Sequence, residues 1–158
     1  MRSAITYRVG LVADTHGLLR PEALEALSGS NAIIHAGDIG DPEVLRRLAE
    51  VAPVTAVRGN NDRAPWAASL PQADMLKVGA AFIYVIHDLA ELDLDPAGTG
   101  CAAVVSGHSH RPQQERRDGV LFVNPGSAGP RRFTLPVSVG YLLVSGERIE
   151  GSLLRLQA

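Results

Sequence analysis

Five times along this chain a short apolar run, rich in β-branched residues, stops at a polar residue able to bind a metal ion. The stops are Asp14-Thr15-His16, Gly37-Asp38, Gly59-Asn60, His87 and Gly107-His108-Ser109-His110. Runs of this kind read as buried strands. Between the first three lie two helical stretches. Pro21 opens one over Glu22 to Leu27, closed by Ser28-Gly29, and Asp41-Pro42 supplies an N-cap and first-turn proline for the other, which extends to about Val51. Strand, helix, strand, helix, strand requires parallel pairing through right-handed crossovers. In open α/β sheets the carboxyl ends of parallel strands form the ligand-binding edge. All five polar stops therefore converge if the strands share sheets.

The second half is richer in strand. Ala80 to Ile86 and Ala102 to Ser106 read as strands, and Leu89 to Gly100 as a loop or poor helix. Asp118-Gly119 marks a hairpin between 112–117 and 120–123, and Ser145-Gly146 a second between 137–144 and 148–156. The expected architecture is α/β, a four-layer αββα sandwich of two mixed sheets flanked by helices, with residues 1–158 as a single domain. A chain of 158 residues can bury roughly 70% of its unfolded surface, so it needs no staple.

Seven side chains stand at the strand ends: Asp14, His16, Asp38, Asn60, His87, His108 and His110. Carboxylate, amide oxygen and imidazole together suit borderline divalent ions, and no thiolate takes part, which argues against a structural zinc site. Seven donors are too many for one ion that keeps an open position; they suit two, if a carboxylate bridges. Four of the five histidines fall in these motifs, a sorting that scattered surface histidines would not show. Glycines 17, 37, 59 and 107 allow positive φ or close backbone approach beside the site. His35, the remaining histidine, reads better as a satisfied core residue than as a group that orients a ligand. Cys101 reads as a small buried hydrophobe.

In this order the motifs resemble those of the calcineurin-like metallophosphoesterase superfamily: D-x-H, then G-D-x-x-D, then G-N-[H/C]-[D/E], then a lone His, then G-H-x-H. Here they are Asp14-Thr15-His16, Gly37-Asp38-Ile39-Gly40-Asp41, Gly59-Asn60-Asn61-Asp62, His87 and Gly107-His108-Ser109-His110, spread over residues 8 to about 132. The short length and Asn124-Pro125-Gly126-Ser127 resemble its small bacterial and archaeal phosphodiesterase branch. The resemblance implies one metal on Asp14, His16 and His110, a second on Asn60, His87 and His108, and Asp38 bridging both. It implies hydrolysis of a phosphodiester by a hydroxide bridging the two ions, manganese foremost, with Fe, Ni, Zn or Mg as other occupants. Asp41 and Asn61 would be catalytic residues beside the leaving group, and Asn61, Arg63 and Arg131 substrate contacts.

Two positions depart from the family pattern. Asn61 stands where a His usually protonates the leaving group, and Asn has no proton to give at a useful pKa. Asp88-Leu89 follows His87, where the family often has Gly-His. Phosphomonoester hydrolysis is an alternative, as is a weakly active protein-binding scaffold like the eukaryotic retromer subunit of the same branch. The net charge of −2 gives no footprint for nucleic acid and no polybasic membrane signal. The only cysteine and the interrupted N-terminal apolar run point to a cytoplasmic protein, and the resemblance implies a small phosphate ester as its substrate. Self-association is left open.

Overall fold

The computed structural model describes residues 5–157. Among the described residues, ten strands form two sheets of five. The first holds β1 (Thr6–Val12), β2 (Ala32–His35), β3 (Val54–Ala56), β9 (Ser138–Ser145) and β10 (Arg148–Arg155), in the order β10-β9-β1-β2-β3. The second holds β4 (Ala73–Val78), β5 (Ala81–Ile86), β6 (Ala103–Val105), β7 (Gln113–Arg117) and β8 (Val120–Asn124), in the order β4-β5-β6-β8-β7. Both are mixed: β1, β2 and β3 run parallel, as do β5, β6 and β8, while the outer strands pair antiparallel. The two mixed sheets and flanking helices agree with the expected sandwich.

Strand periodicity sorts the side chains into layers. Val9, Leu11 and Ala13 of the first sheet join Ile83, Val85, Val105, Leu121 and Val123 of the second in a core between the sheets. Each fully buried Val, Leu or Ile there contributes roughly 1.5–3 kcal/mol. The alternate residues Val12 and Ile33 face the helices. They pack with Ala23 and Leu27 of α1 (Pro21–Leu27) and Val44 and Leu48 of α2 (Pro42–Ala49). The outer face of the second sheet has a thinner cover. Ile86, Val104 and Val120 are buried there with Leu92, which follows the 3-10 turn Leu89–Glu91; α3 (Pro96–Thr99) is a single helical turn. Among the described residues no helix is long and apolar enough to cross a membrane.

Two differences from the sequence reading have physical causes. β4 was not expected, because it is an edge strand with Asp74, Met75 and Lys77 exposed, and so shows no clean alternation. The last hairpin turns at Gly146-Glu147, one residue later than expected, since Ser145 pairs with Arg148. The 89–100 stretch, expected as a loop or poor helix, is a loop with two short helical turns. Asp118 and Gly119 form their hairpin as expected, with φ of +50° and +80°.

Candidate metal centre

The carboxyl ends of β1, β2, β3, β5 and β6 meet along one edge of the sandwich. Hydrogen bonds between the loops carry the parallel pairing beyond the strands: Asp14 N to Gly37 O (3.0 Å), His16 N to Asp38 O (2.9 Å) and Gly107 N to His87 O (3.0 Å). Each strand thus delivers its polar end to the same cleft.

All seven strand-end side chains come together. Donor atoms of Asp14, His16 and His110 lie within 4.8 Å of one another, as do those of Asp14, Asp38 and His87. His110 Nε2 is 3.6 Å from Asp14 Oδ1, His87 Nε2 is 3.4 Å from Asp38 Oδ2, and His16 Nε2 is 3.8 Å from the same oxygen. Asn60 Oδ1 lies 3.0 Å from His87 Nε2 and 3.2 Å from His108 Nδ1. Asp14, Asp38, His87 and His110 are buried, while Asn60 and His108 stand at the exposed rim.

Backbone strain aims these side chains. Asp14, His16, Asp38, His108 and His110 have φ of +54°, +47°, +56°, +73° and +64°. This left-handed region costs a non-glycine residue on the order of 1 kcal/mol or more, with Asp, Asn and His tolerating it best. Five such residues in one cleft mark a place where geometry is bought at the expense of stability. Gly17 and Gly37 are also left-handed, whereas Gly59 serves by close approach: a Cβ there would lie 2.1 Å from Asp38 Oδ1.

Buried groups behind the cleft hold its loops. The Asp62 carboxylate accepts from Ile39 N (3.0 and 3.1 Å), Gly40 N (3.1 Å) and Gly59 N (2.9 Å), tying the turn after β2 to the loop after β3. His35 Nδ1 accepts from Gly37 N at 3.1 Å, so Nε2 carries the proton and faces Thr15 Oγ1 at 3.0 Å; Thr15 in turn donates to Ile39 O. His35 is fully buried and satisfied, as the core reading expected. Burial is the main reason that its imidazole is pushed down to about 3. Asn124 donates to Gly107 O at 2.8 Å and Ser127 to Asp14 O at 3.0 Å, so both brace the loops from behind.

The electrostatics of the cleft suit a cation. Burial pushes the Asp14 carboxyl up to about 7, with His87 opposing. Burial would also raise Asp38, but the imidazole of His87 and the Asn61 N–H bring it down to about 2. Burial, then the charge of Arg132, lowers His110 to about 4. Asp14 Oδ1, His16 Nε2 and His110 Nδ1 are buried without a hydrogen-bond partner. Unpartnered buried polar atoms are rare and call for an explanation. Lone pairs of carboxylate and imidazole converging in one cleft fit a divalent ion.

The remaining candidates fall apart. Asn61 sits at the centre, its backbone N–H and Nδ2 donating to Asp38 Oδ1 and Oδ2 at 2.9 and 3.1 Å. Asp41 does not join it: its Oδ1 accepts from Glu43 N at 2.8 Å, capping α2 as an exposed residue. Asp41 thus serves as the expected helix cap, with no hydrogen bond to Asn61 among the described residues, and the buried carboxylate that organises this region is Asp62. Arg63 donates to Asn60 O at 3.1 Å at the rim of a cavity of about 540 Å³. Arg131 lines a separate cavity of about 240 Å³ with His16 and His110. Arg132 shares that cavity, and its charge bears on both Asp14 and His110. The sequence reading passed over Arg132; its place one residue from Arg131 was the only signal.

This cleft, at the strand ends of a two-sheet sandwich, has the form of a metallophosphoesterase site. A family model described as the calcineurin-like phosphoesterase superfamily domain matches residues 7–147, and the chain belongs to that superfamily. A probable metallophosphoesterase of Methanothermobacter thermautotrophicus is 31% identical over 162 residues, covering 95% of this chain and 93% of the relative. Another probable metallophosphoesterase, from Methanocaldococcus jannaschii, is 34% identical over 135 residues, covering 77% of this chain and 68% of its own length. Among solved structures, Vacuolar Protein Sorting 29 from Cryptosporidium parvum shares the fold, with a TM-score of 0.77 at 20% identity over 94% of this chain and 97% of that one.

Proposed function

We propose that the chain is a phosphodiesterase that works with two divalent cations. Asp14, His16 and His110 would hold one, Asn60, His87 and His108 the other, and Asp38 would touch both. What supports this reading is the pair of donor clusters, Asp14-His16-His110 and Asp14-Asp38-His87, which share Asp14 and lie in one cleft with Asn60 and His108 at its rim and with buried unpartnered atoms on Asp14 and His16. Such a pair of ions supplies Lewis acidity, lowering the pKa of water and neutralising charge on a phosphoryl group. Mn suits this mixture of oxygen and imidazole donors, as do Fe, Ni, Zn and Mg to differing degrees.

The chain's own residues prepare that chemistry. His87 Nδ1 is 2.7 Å from Ala36 O; it donates there, which orients the ring so that Nε2 faces Asp38 and Asn60 and would be the atom offered to an ion. Asn61 holds both Asp38 oxygens by hydrogen bonds. Arg132, beside His16 and His110, offers a fork of donors suited to phosphate oxygens. Asn61 cannot protonate a departing alkoxide, so esters with acidic leaving groups are the favoured substrates. The reading extends to a cytoplasmic enzyme, in keeping with the single free, buried thiol of Cys101. The test is Asp38→Ala assayed on an aryl phosphodiester with Mn present, with a thermal melt to establish folding. Hydrolysis should be abolished in the folded variant; activity that survives would refute the assigned role.

A further inference from the structure

The cavity of about 540 Å³ adjoins Asn60 and His87, and Arg58 and Arg63 both line it. Three carboxylates line it too, and each is already hydrogen-bonded. Asp62 is bound to the N–H groups of Ile39, Gly40 and Gly59. Asp88 Oδ1 accepts from Ala90 N at 3.0 Å, with Oδ2 3.7 Å from His108 Nε2. Glu91 accepts from Gln72 Nε2 at 2.5 Å. Among the described residues neither Arg58 nor Arg63 forms an ion pair, although Glu43, Glu50 and Glu115 on the open surface all pair with arginines. The backbone of Arg58 is fixed by its N–H to Pro71 O at 2.8 Å, and Arg63 spends only Nε, on Asn60 O. Two guanidinium groups thus keep free donors in a concave space next to the candidate ions. Ala64, Pro65 and Ala68 supply an apolar wall beside them.

We propose that this cavity is a subsite for a second phosphate carried by the substrate. Free guanidinium forks match phosphate oxygens, and the apolar wall suits the carbon skeleton joining the two phosphates. The substrate class is then a small phosphodiester with one phosphorylated arm, such as a phosphonucleoside ester. This inference rests on the phosphodiesterase reading for the reacting centre, but its binding arm can be tested apart from turnover.

The experiment compares the p-nitrophenyl ester of thymidine 5′-phosphate with the same ester bearing a 3′-phosphate. In parallel, calorimetry of the Mn-loaded protein compares thymidine 3′,5′-bisphosphate with thymidine 5′-phosphate. The second phosphate should raise both kcat/KM and affinity by roughly 10-fold or more, the worth of a charge-assisted hydrogen bond. Arg58→Ala should remove most of that preference and Arg58→Lys restore part of it, since a point charge survives without the fork. No preference in the wild-type protein, or a preference unchanged in Arg58→Ala and in the Arg58→Ala/Arg63→Ala double variant, would overturn the subsite. Tighter bisphosphate binding that depends on Arg58 without turnover of either ester would uphold the subsite and bring down the catalytic reading instead.

Discussion

Replacing Asp62 with alanine is expected to loosen the whole metal cleft, although Asp62 is not among the seven candidate ligands. Its carboxylate receives three backbone N–H groups from two separate loops, those of Ile39 and Gly40 after β2 and that of Gly59 after β3. Ile39 and Gly59 are buried, while Gly40 is exposed and can turn to water. Counting only the two buried donors, at roughly 1.5–3 kcal/mol for a hydrogen bond to a charged group, gives a loss of about 3–6 kcal/mol. A chain of this size shifts its melting temperature by roughly 2–4 °C per kcal/mol, so Tm should fall by about 6–24 °C. Asp62→Asn keeps one acceptor oxygen and should lose about half as much. A thermal melt gives the first reading and Mn uptake by calorimetry the second, because Gly59 packs directly on Asp38. A Tm within about 2 °C of wild type with unchanged Mn affinity would refute the role of Asp62 as the clasp between the loops.

Two further perturbations separate stability from catalysis. His35, ordinarily near 6.5, is held neutral down to about 3 mainly by burial. Between those values the unfolded chain binds a proton that the folded chain refuses, so stability falls with acid by at most about 1.4 kcal/mol per pH unit. His35→Asn retains an acceptor for Gly37 N–H and should flatten the pH dependence of the urea midpoint between pH 6.5 and 4; an unchanged slope would count against it. Asn61→His restores a proton donor beside Asp38. It should raise hydrolysis of alkyl phosphodiesters by up to ~10²-fold and of aryl ones far less; an equal effect on both would show that leaving-group protonation is not what Asn61 lacks.

How much of this was legible in the sequence follows from the range of the forces involved. Motifs such as Asp14-Thr15-His16 and Gly107-His108-Ser109-His110 were readable because a strand end and its polar stop are local. Parallel pairing of β1, β2 and β3 then brings three of the stops together. The left-handed backbone at Asp14, Asp38 and His110 could not be read, since only the surrounding packing holds a non-glycine residue there. Asp62 stood at the end of the motif Gly59-Asn60-Asn61-Asp62 with no role assigned to it. Its partners at Ile39 and Gly40 appear only once β2 and β3 lie side by side. Asp41 satisfied two descriptions at once, a helix cap and a family carboxylate, and the local interaction with Glu43 N is the one the fold uses. β4 escaped because an edge strand buries too little of either face to impose alternation.

Seven side chains gathered from five strand ends are held to bind two cations, and equilibrium dialysis against Mn²⁺ followed by elemental analysis measures that directly. The account predicts about two ions per chain, and fewer in a folded Asp38→Ala variant. A wild-type protein that retains one ion or none, or an Asp38→Ala variant that still retains two, would contradict it.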